Sequence, residues 1–553
     1  MSFRGVVLVL AIAAATIGQA EDQLPVFTDV TEEAGIHIKH SFGDMDLSNI
    51  VEGTGSGGMF FDYNGDGWLD IYLPNGRWLA DVNDNRGRSL RGKLKNCLLR
   101  NNRDGTFTDV TDEAGVDGGE GYGVGCSAAD CDNDGDLDLY VLNYGPNKFY
   151  RNNGDGTFTD ESRESGLADA RWSLSAPWFD YDGDGDLDVF VTNYLQYDGG
   201  KFRAFYAPTG YPGPLSYHGQ PDALYRNNGD GTFTDVAKEA GVYHAEGRGM
   251  SATVDDLDGD GRLDIYVAND AMENNFFRNL GGGKFADEAL ERGLGFGEGG
   301  QGVSSMGPTI GDVDSDGRLD IYIPDMGYGC LMVNRGDYFE DRTAASKLAV
   351  VCGQYTGWGG VLFDYDNDGH LDVFVANGDA HHEYPEEDVL MRNDGTGNFI
   401  DVARQSGDYF ARKYVGRGAV SGDYDNDGDL DLLVVNLNDH PRLLRNDGGN
   451  RNRWLKIDAR LPGGKSNAVG ARIVARAGDH TQSRTVTPVT GYCSQGDPRA
   501  QFGLGQAEKA DAVEIRWPNG AVTELKDVVA GQILTVVQDA AKAKVATNSR
   551  QVE

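Results

Sequence analysis

A chain of 553 residues has room for one large repeat domain and a small one, and 39% hydrophobic residues with 10% aromatics can build a core. Seventy-nine glycines without a collagen period indicate a β-rich chain full of tight turns. A formal charge of −39 argues against nucleic acid, because phosphate backbones need Lys and Arg to displace their counterions.

In chain order, residues 1–20 read as a signal peptide. Arg4 supplies the positive end, 5–16 is apolar but too short to span a bilayer, and GQA at 18–20 offers small cleavage residues. The mature chain then begins near Glu21, with no cysteine for a lipid anchor and no later segment fit to cross a membrane. That places the protein outside the cell or in a periplasm. Six cysteines (Cys97, Cys126, Cys131, Cys330, Cys352, Cys493) show no CxxC spacing, which argues against zinc. Cys126 with Cys131 and Cys330 with Cys352 are near enough to pair; buried free thiols are the other reading.

From residue 62 a unit D-x-[DN]-x-D-G-x-x-D occurs seven times, at intervals of 50 to 76 residues, the length of a four-stranded blade. A run rich in β-branched and aromatic residues, such as 137–142 or 371–376, leaves each copy and reads as a strand. A second unit, roughly L-x-R-N-x-G-D-G-x-F-x-D, has six full copies, starting near Leu98, Phe149, Leu224, Phe276, Leu331 and Leu390. The seventh is split: FTDV at 27–30 is its second half and LLRNDGG at 443–449 its first. A ring in which the N-terminal strand completes the last blade explains the split and closes the sheet edges. The expectation is an all-β chain: a seven-bladed β-propeller over 21–450, a small β-rich domain over 451–540, and a disordered tail over 541–553.

The aspartate spacing suits calcium, a hard cation that takes six to eight oxygens at about 2.3–2.6 Å from a tightly curled backbone. Side chains at positions 1, 3, 5 and 9 and the carbonyl of position 7 supply ligands, and the glycine at position 6 allows the turn. The candidate ligands are Asp62, Asn64, Asp66 and Asp70; Asp130, Asp132, Asp134 and Asp138; Asp180, Asp182, Asp184 and Asp188; Asp256, Asp258, Asp260 and Asp264; Asp312, Asp314, Asp316 and Asp320; Asp364, Asp366, Asp368 and Asp372; and Asp423, Asp425, Asp427 and Asp431. Up to seven calcium ions are expected. Magnesium suits the loops less, because it demands strict octahedral geometry and keeps its waters. The EF-hand reading fails because position 12 has no Glu and strands flank the loops.

These repeats, the RNNGDGTFTD connectors at 151–160 and 226–235, FTDVTEEAGI at 27–36, RWS at 171–173 and VAND at 267–270 resemble the FG-GAP-type propeller of the cartilage acidic protein family. The tail resembles the ASPIC/UnbV domain through VGAR at 469–472, GY at 491–492, SQ at 494–495, DPR at 497–499, FGLG at 502–505 and RWPNG at 516–520. The resemblance implies a seven-bladed calcium propeller similar to integrin α heads, and an exported protein. It departs at Pro212-Gly213-Pro214, where Cys-Gly-Pro is expected, which weakens the case for a disulfide there.

Three motifs tempt. Arg335-Gly336-Asp337 spells an adhesion tripeptide but belongs to the repeat. GTGSGG at 53–58 matches G-x-G-x-x-G, yet a strand and an aspartate loop follow instead of a helix. His381-His382-Glu383 could be a metal or acid/base cluster or simply a loop. Two function classes stay open: a binding or adhesion module for a glycan or protein, monomeric, and a propeller enzyme of lyase or cyclase type acting on a polysaccharide or small molecule. Long loops at 76–95 and 196–222, the latter with Tyr206, Tyr211, Tyr217 and His218, serve either; catalytic residues are not identifiable from the sequence.

Overall fold

The structure is a computed structural model, and it describes residues 24–198, 210–297, 300–487 and 491–539. The signal-peptide reading and the 541–553 tail lie outside those residues, as does Tyr206. Among the described residues no helix is long and apolar enough to cross a membrane.

Each aspartate unit opens an antiparallel up-and-down sheet of four strands, and seven such sheets recur. The first runs Met59–Phe61, Asp70–Leu73, Cys97–Asn101 and Phe107–Asp109. The third has a broken inner strand, Ser173–Ser175 and Trp178–Phe179, and the fourth gains Val303–Ser304 at its edge. The innermost strands touch in a closed order: Met59–Phe61, Tyr122–Ala129, Ser173–Ser175, Gly249–Asp255, Thr309–Gly311, Gly357–Phe363, Gly416–Gly422, and back to Met59–Phe61. The result is a propeller-like ring, with apolar strand faces packed between neighbouring sheets. Its seventh sheet takes strands from both ends of the ring. Val26–Asp29 pairs antiparallel with Arg442–Asp447, from Val26 opposite Asp447 to Asp29 opposite Leu444. Phe27 is buried there against Phe363, Tyr365 and Phe410. The split repeat is therefore completed in space.

The C-terminal segment forms two packed sheets. One joins Ala500–Gly505, Arg453–Arg460 and Gln532–Val537; the other joins His480–Thr485, Arg472–Ala477, Lys509–Arg516 and Val522–Val529. Leu455, Ile457, Ile473, Phe502, Val513 and Ile515 fill the space between them. A loop from this domain enters the axis of the ring. Tyr492 donates its hydroxyl to the Thr54 carbonyl (3.0 Å), Gln495 Oε1 accepts the Ala128 N–H (2.7 Å), and the Ser251 hydroxyl donates to the Gly491 carbonyl (2.9 Å). Glycines make the room: a Cβ on Gly57 would stand 2.0 Å from the Cys493 oxygen, and one on Gly307 2.3 Å from the Tyr492 nitrogen. All six cysteines are buried and none is in a disulfide, so the buried-thiol reading holds and neither sequence-near pair is bonded.

Candidate metal centre

Every aspartate loop lies between the first and second strands of its sheet, and the asparagine connector leaves the third strand of each, turning directly into the fourth in sheets one to six, so both sit on one face of the ring. Two residues per loop take left-handed backbone. Position 6 is glycine in all seven, with φ of 85° at Gly67 and 100° at Gly135; position 4 is left-handed too, including Asn133, Ser315, Asn367 and Asn426. A β-branched residue at either place would resist that curl.

The curl wraps main-chain N–H groups around the first aspartate. Asp62 accepts from Asp66 (2.9 Å) and Gly67 (2.7 Å), Asp364 from Asp368 (3.0 Å) and Gly369 (2.9 Å), and the other loops follow the scheme with small variations. The position-9 aspartate starts the second strand and is the most deeply set. In all seven sheets its Oδ1 accepts the N–H of the connector asparagine (Asn101, Asn152, Asn227, Asn279, Asn334, Asn393, Asn446) at 2.7–2.9 Å.

In loops two to six the structure gathers three carboxylates each, with ligand atoms within 4.8 Å of one another: Asp130, Asp132 and Asp134; Asp180, Asp182 and Asp188; Asp256, Asp258 and Asp260; Asp312, Asp314 and Asp316; Asp364, Asp366 and Asp372. Such crowding is costly without a cation. Burial first, then the neighbouring carboxylates, pushes Asp70, Asp188, Asp264 and Asp320 up to about 8. Burial pushes Asp138 up to about 7, and Arg151 pulls the other way. In loop seven the same causes raise Asp425 to about 7 and Asp429 to about 8 and raise Asp431 strongly, and in loop six they raise Asp364 and Asp372 strongly. Arginines from the connectors meet part of the charge: Arg151 with Asp132 (3.0 Å), Arg335 with Asp314 (3.0 Å), Arg392 with Asp366 (2.8 Å). Even so, Oδ1 of Asp256, Asp314, Asp425 and Asp429 is buried with no hydrogen-bond partner among the described residues. Oxygen-only donors, crowded and partly unpaired, fit a hard divalent cation.

The C-terminal domain lies over this face. Lys456 Nζ reaches Asp423 Oδ2 (2.7 Å) with both side chains fully buried, Lys465 Nζ donates to the Asp134 carbonyl (3.0 Å), and Arg472 to the Gly317 carbonyl (3.0 Å). A buried ammonium–carboxylate pair of this kind costs several kcal/mol to break from one side, roughly 3–5.

The tempting motifs resolve structurally. Arg335 of the adhesion tripeptide is tied to Asp314 and Glu340 (3.0 Å each). The 53–58 glycines pack against the axial loop and Tyr211. His382 pairs with Asp379 (3.2 Å) and stacks on Tyr384, while His381 lies on Tyr211. Tyr211 and Tyr217 are buried in the central apolar cluster, which makes them packing residues; His218 is exposed beside Glu246 (3.0 Å). The connector asparagine is the contributor that residue-by-residue reading passed over. Its signal was the invariant N in the second repeat unit.

The FG-GAP-like repeat profile matches residues 62–141, 130–191, 215–267, 256–323 and 364–434, more than half of the chain, and the ASPIC and UnbV profile matches 462–543. Cartilage acidic protein 1 of Homo sapiens is 27% identical over 449 residues, covering 76% of this chain and 63% of that protein. The Mus musculus protein is 29% identical over 323 residues, 54% of this chain and 46% of its own length. The chain thus spans less than two thirds of the length of these relatives. Among solved structures, an Agrocybe aegerita lectin that recognises non-reducing terminal N-acetylglucosamine aligns at a TM-score of 0.40 with 20% identity, covering 69% of this chain and 86% of that one. The rhamnogalacturonan lyase YesW aligns at 0.33 with 14% identity, covering 90% and 92%. With its repeats and its tail both matched, the chain belongs to the FG-GAP-like repeat family and ends in an ASPIC and UnbV domain.

Proposed function

We propose that this is a secreted calcium-binding propeller that presents an extracellular or periplasmic binding surface to a glycan or protein ligand. Calcium would be held, up to seven ions, by the side chains at positions 1, 3, 5 and 9 of each loop, from Asp62, Asn64, Asp66 and Asp70 to Asp423, Asp425, Asp427 and Asp431. The observation that carries the reading is the buried position-9 aspartate in all seven loops, set among crowded carboxylates of which Asp256, Asp314, Asp425 and Asp429 have an unpaired oxygen. Once bound, the ion would offset part of each loop's negative charge and fix its curl; the chain's own residues supply the rigid frame. In this reading 1–20 is removed on export, 21–450 forms seven blades, 451–540 is the capping domain, and the protein works as a monomer. A binding role follows from the frame: closed rings hold loops in fixed positions, and the relatives are named as acidic proteins of cartilage.

Metal analysis of the purified protein tests the first half, with several calcium ions per chain expected and less than about one overturning it. Glycan and extracellular-protein arrays probed with and without chelator test the second half. Calcium-dependent binding to one class is the expected result.

A further inference from the structure

The connector asparagine does more than hold its own loop. Its side-chain amide is fully used in each sheet. Oδ1 accepts the N–H of the residue at or near the turn that follows, as Gly281 does on Asn279 (2.9 Å). One Nδ2 hydrogen goes to the position-8 carbonyl of its own loop at 3.0–3.2 Å. The other crosses to the preceding sheet and meets the position-2 carbonyl of that sheet's loop at 2.8–3.0 Å. Asn279 reaches Tyr181 of loop three, Asn334 reaches Leu257 of loop four, and Asn101 of the first sheet reaches Tyr424 of loop seven, which closes the circle.

The position-2 residue passes the contact inward. Its own N–H donates to Oδ2 of its loop's position-9 aspartate: Tyr181 to Asp188 (3.2 Å), Leu257 to Asp264 (3.2 Å), Val313 to Asp320 (2.9 Å). Loop two substitutes a thiol, with Cys131 Sγ on Asp138 Oδ2 (2.8 Å). Alternating hydrogen bonds and covalent links therefore join Asp188 through Tyr181 and Asn279 to Asp264, and the pattern repeats around the ring. A planar amide with every donor and acceptor engaged cannot shift for one partner without shifting for the other.

We propose that this asparagine is a positioning residue shared by two loops, so that its loss weakens cation binding both in its own loop and in the preceding one. The inference rests on the calcium reading and deepens it: neighbouring loops share one positioning side chain.

Native mass spectrometry of the full chain across a calcium titration counts the ions that each variant weakens. Asp184→Ala, confined to loop three, should release one ion. Asn279→Ala, which removes an amide that touches no ligand side chain and keeps the main-chain N–H on Asp264, should weaken two, each by about three- to tenfold. Asn334→Ala should do the same at loops four and five, and it serves if Asn279→Ala does not fold. In the double variant Asp184→Ala/Asn279→Ala the asparagine change should weaken only one further ion. Weakening of a single ion, or of none, by both asparagine variants overturns the coupling and leaves the calcium reading standing. A wild-type protein that takes up no calcium overturns both.

Discussion

The ring and the C-terminal domain solve the same folding problem by different means. The domain packs two sheets over a common apolar core, with Leu455, Ile457, Phe502 and Ile515 buried, and the aspartate unit does not recur in its sequence. The ring also has apolar layers between sheets, but it gathers carboxylates at one edge of every sheet, where burial drives them toward their protonated forms. Apolar burial needs no bound ion; in the calcium reading the loops do, which makes the ring's stability conditional where the domain's is built in.

Chelation should separate the two most widely. Extracellular calcium sites with dissociation constants of about 10⁻⁴–10⁻³ M contribute about 0.4–1.4 kcal/mol each at roughly 1 mM calcium, or about 3–10 kcal/mol over seven loops. Calorimetry should show the ring's transition falling sharply while a transition from the domain moves little, and magnesium restoring the ring poorly. Two transitions that fall together would break the contrast. Deleting 23–36 attacks the ring without touching a cation ligand. Loss of Phe27, Val30 and Ile36 from buried positions should cost about 1.5–3 kcal/mol each, read as a lower ring transition at saturating calcium.

Acidity should act with opposite signs on the two metal states. Without calcium, folded Asp70, Asp188, Asp264 and Asp320 keep protons up to about 8 that the unfolded chain releases near 4. The folded state then binds more protons across that window, so chelated protein should gain stability as pH falls from 8 toward 5. With calcium the same protons compete with the ion, and melting temperature should fall over the same range. A melting series in both buffers checks the crossing. The smallest effect is Asp134→Ala, which should weaken one site, cost about 0.4–1.4 kcal/mol at roughly 1 mM calcium, and leave the fold intact when calcium is high.

The loops were legible because their whole geometry is local. Five positions within nine residues carry the carboxylates and the glycine turn, and the seven spacings survive any loop length between them. Ring closure was legible for a different reason: the two halves of one repeat unit sit at 27–30 and 443–449. The role of Asn279 was not legible, since one of its partners, Tyr181, stands in another sheet and a sequence pattern says nothing of what crosses between sheets. The same holds for Gln495 and Lys456. Both were visible as residues of the tail, but Ala128 and Asp423 gave no sign that they were their partners. In sequence the long loop at 196–222 serves either function class, while burial of Tyr211 and Tyr217 assigns them to packing.

The shared seventh sheet sets a timetable. Val26–Asp29 leaves the ribosome early, but its partner, Arg442–Asp447, follows more than four hundred residues later. At roughly 5–20 residues per second the first strand waits about 20–80 s for the last. During that interval both the strand and the first sheet's neighbouring edge are open to any passing chain. A bulky fusion placed just before Val26 would hinder the step that everything else waits for.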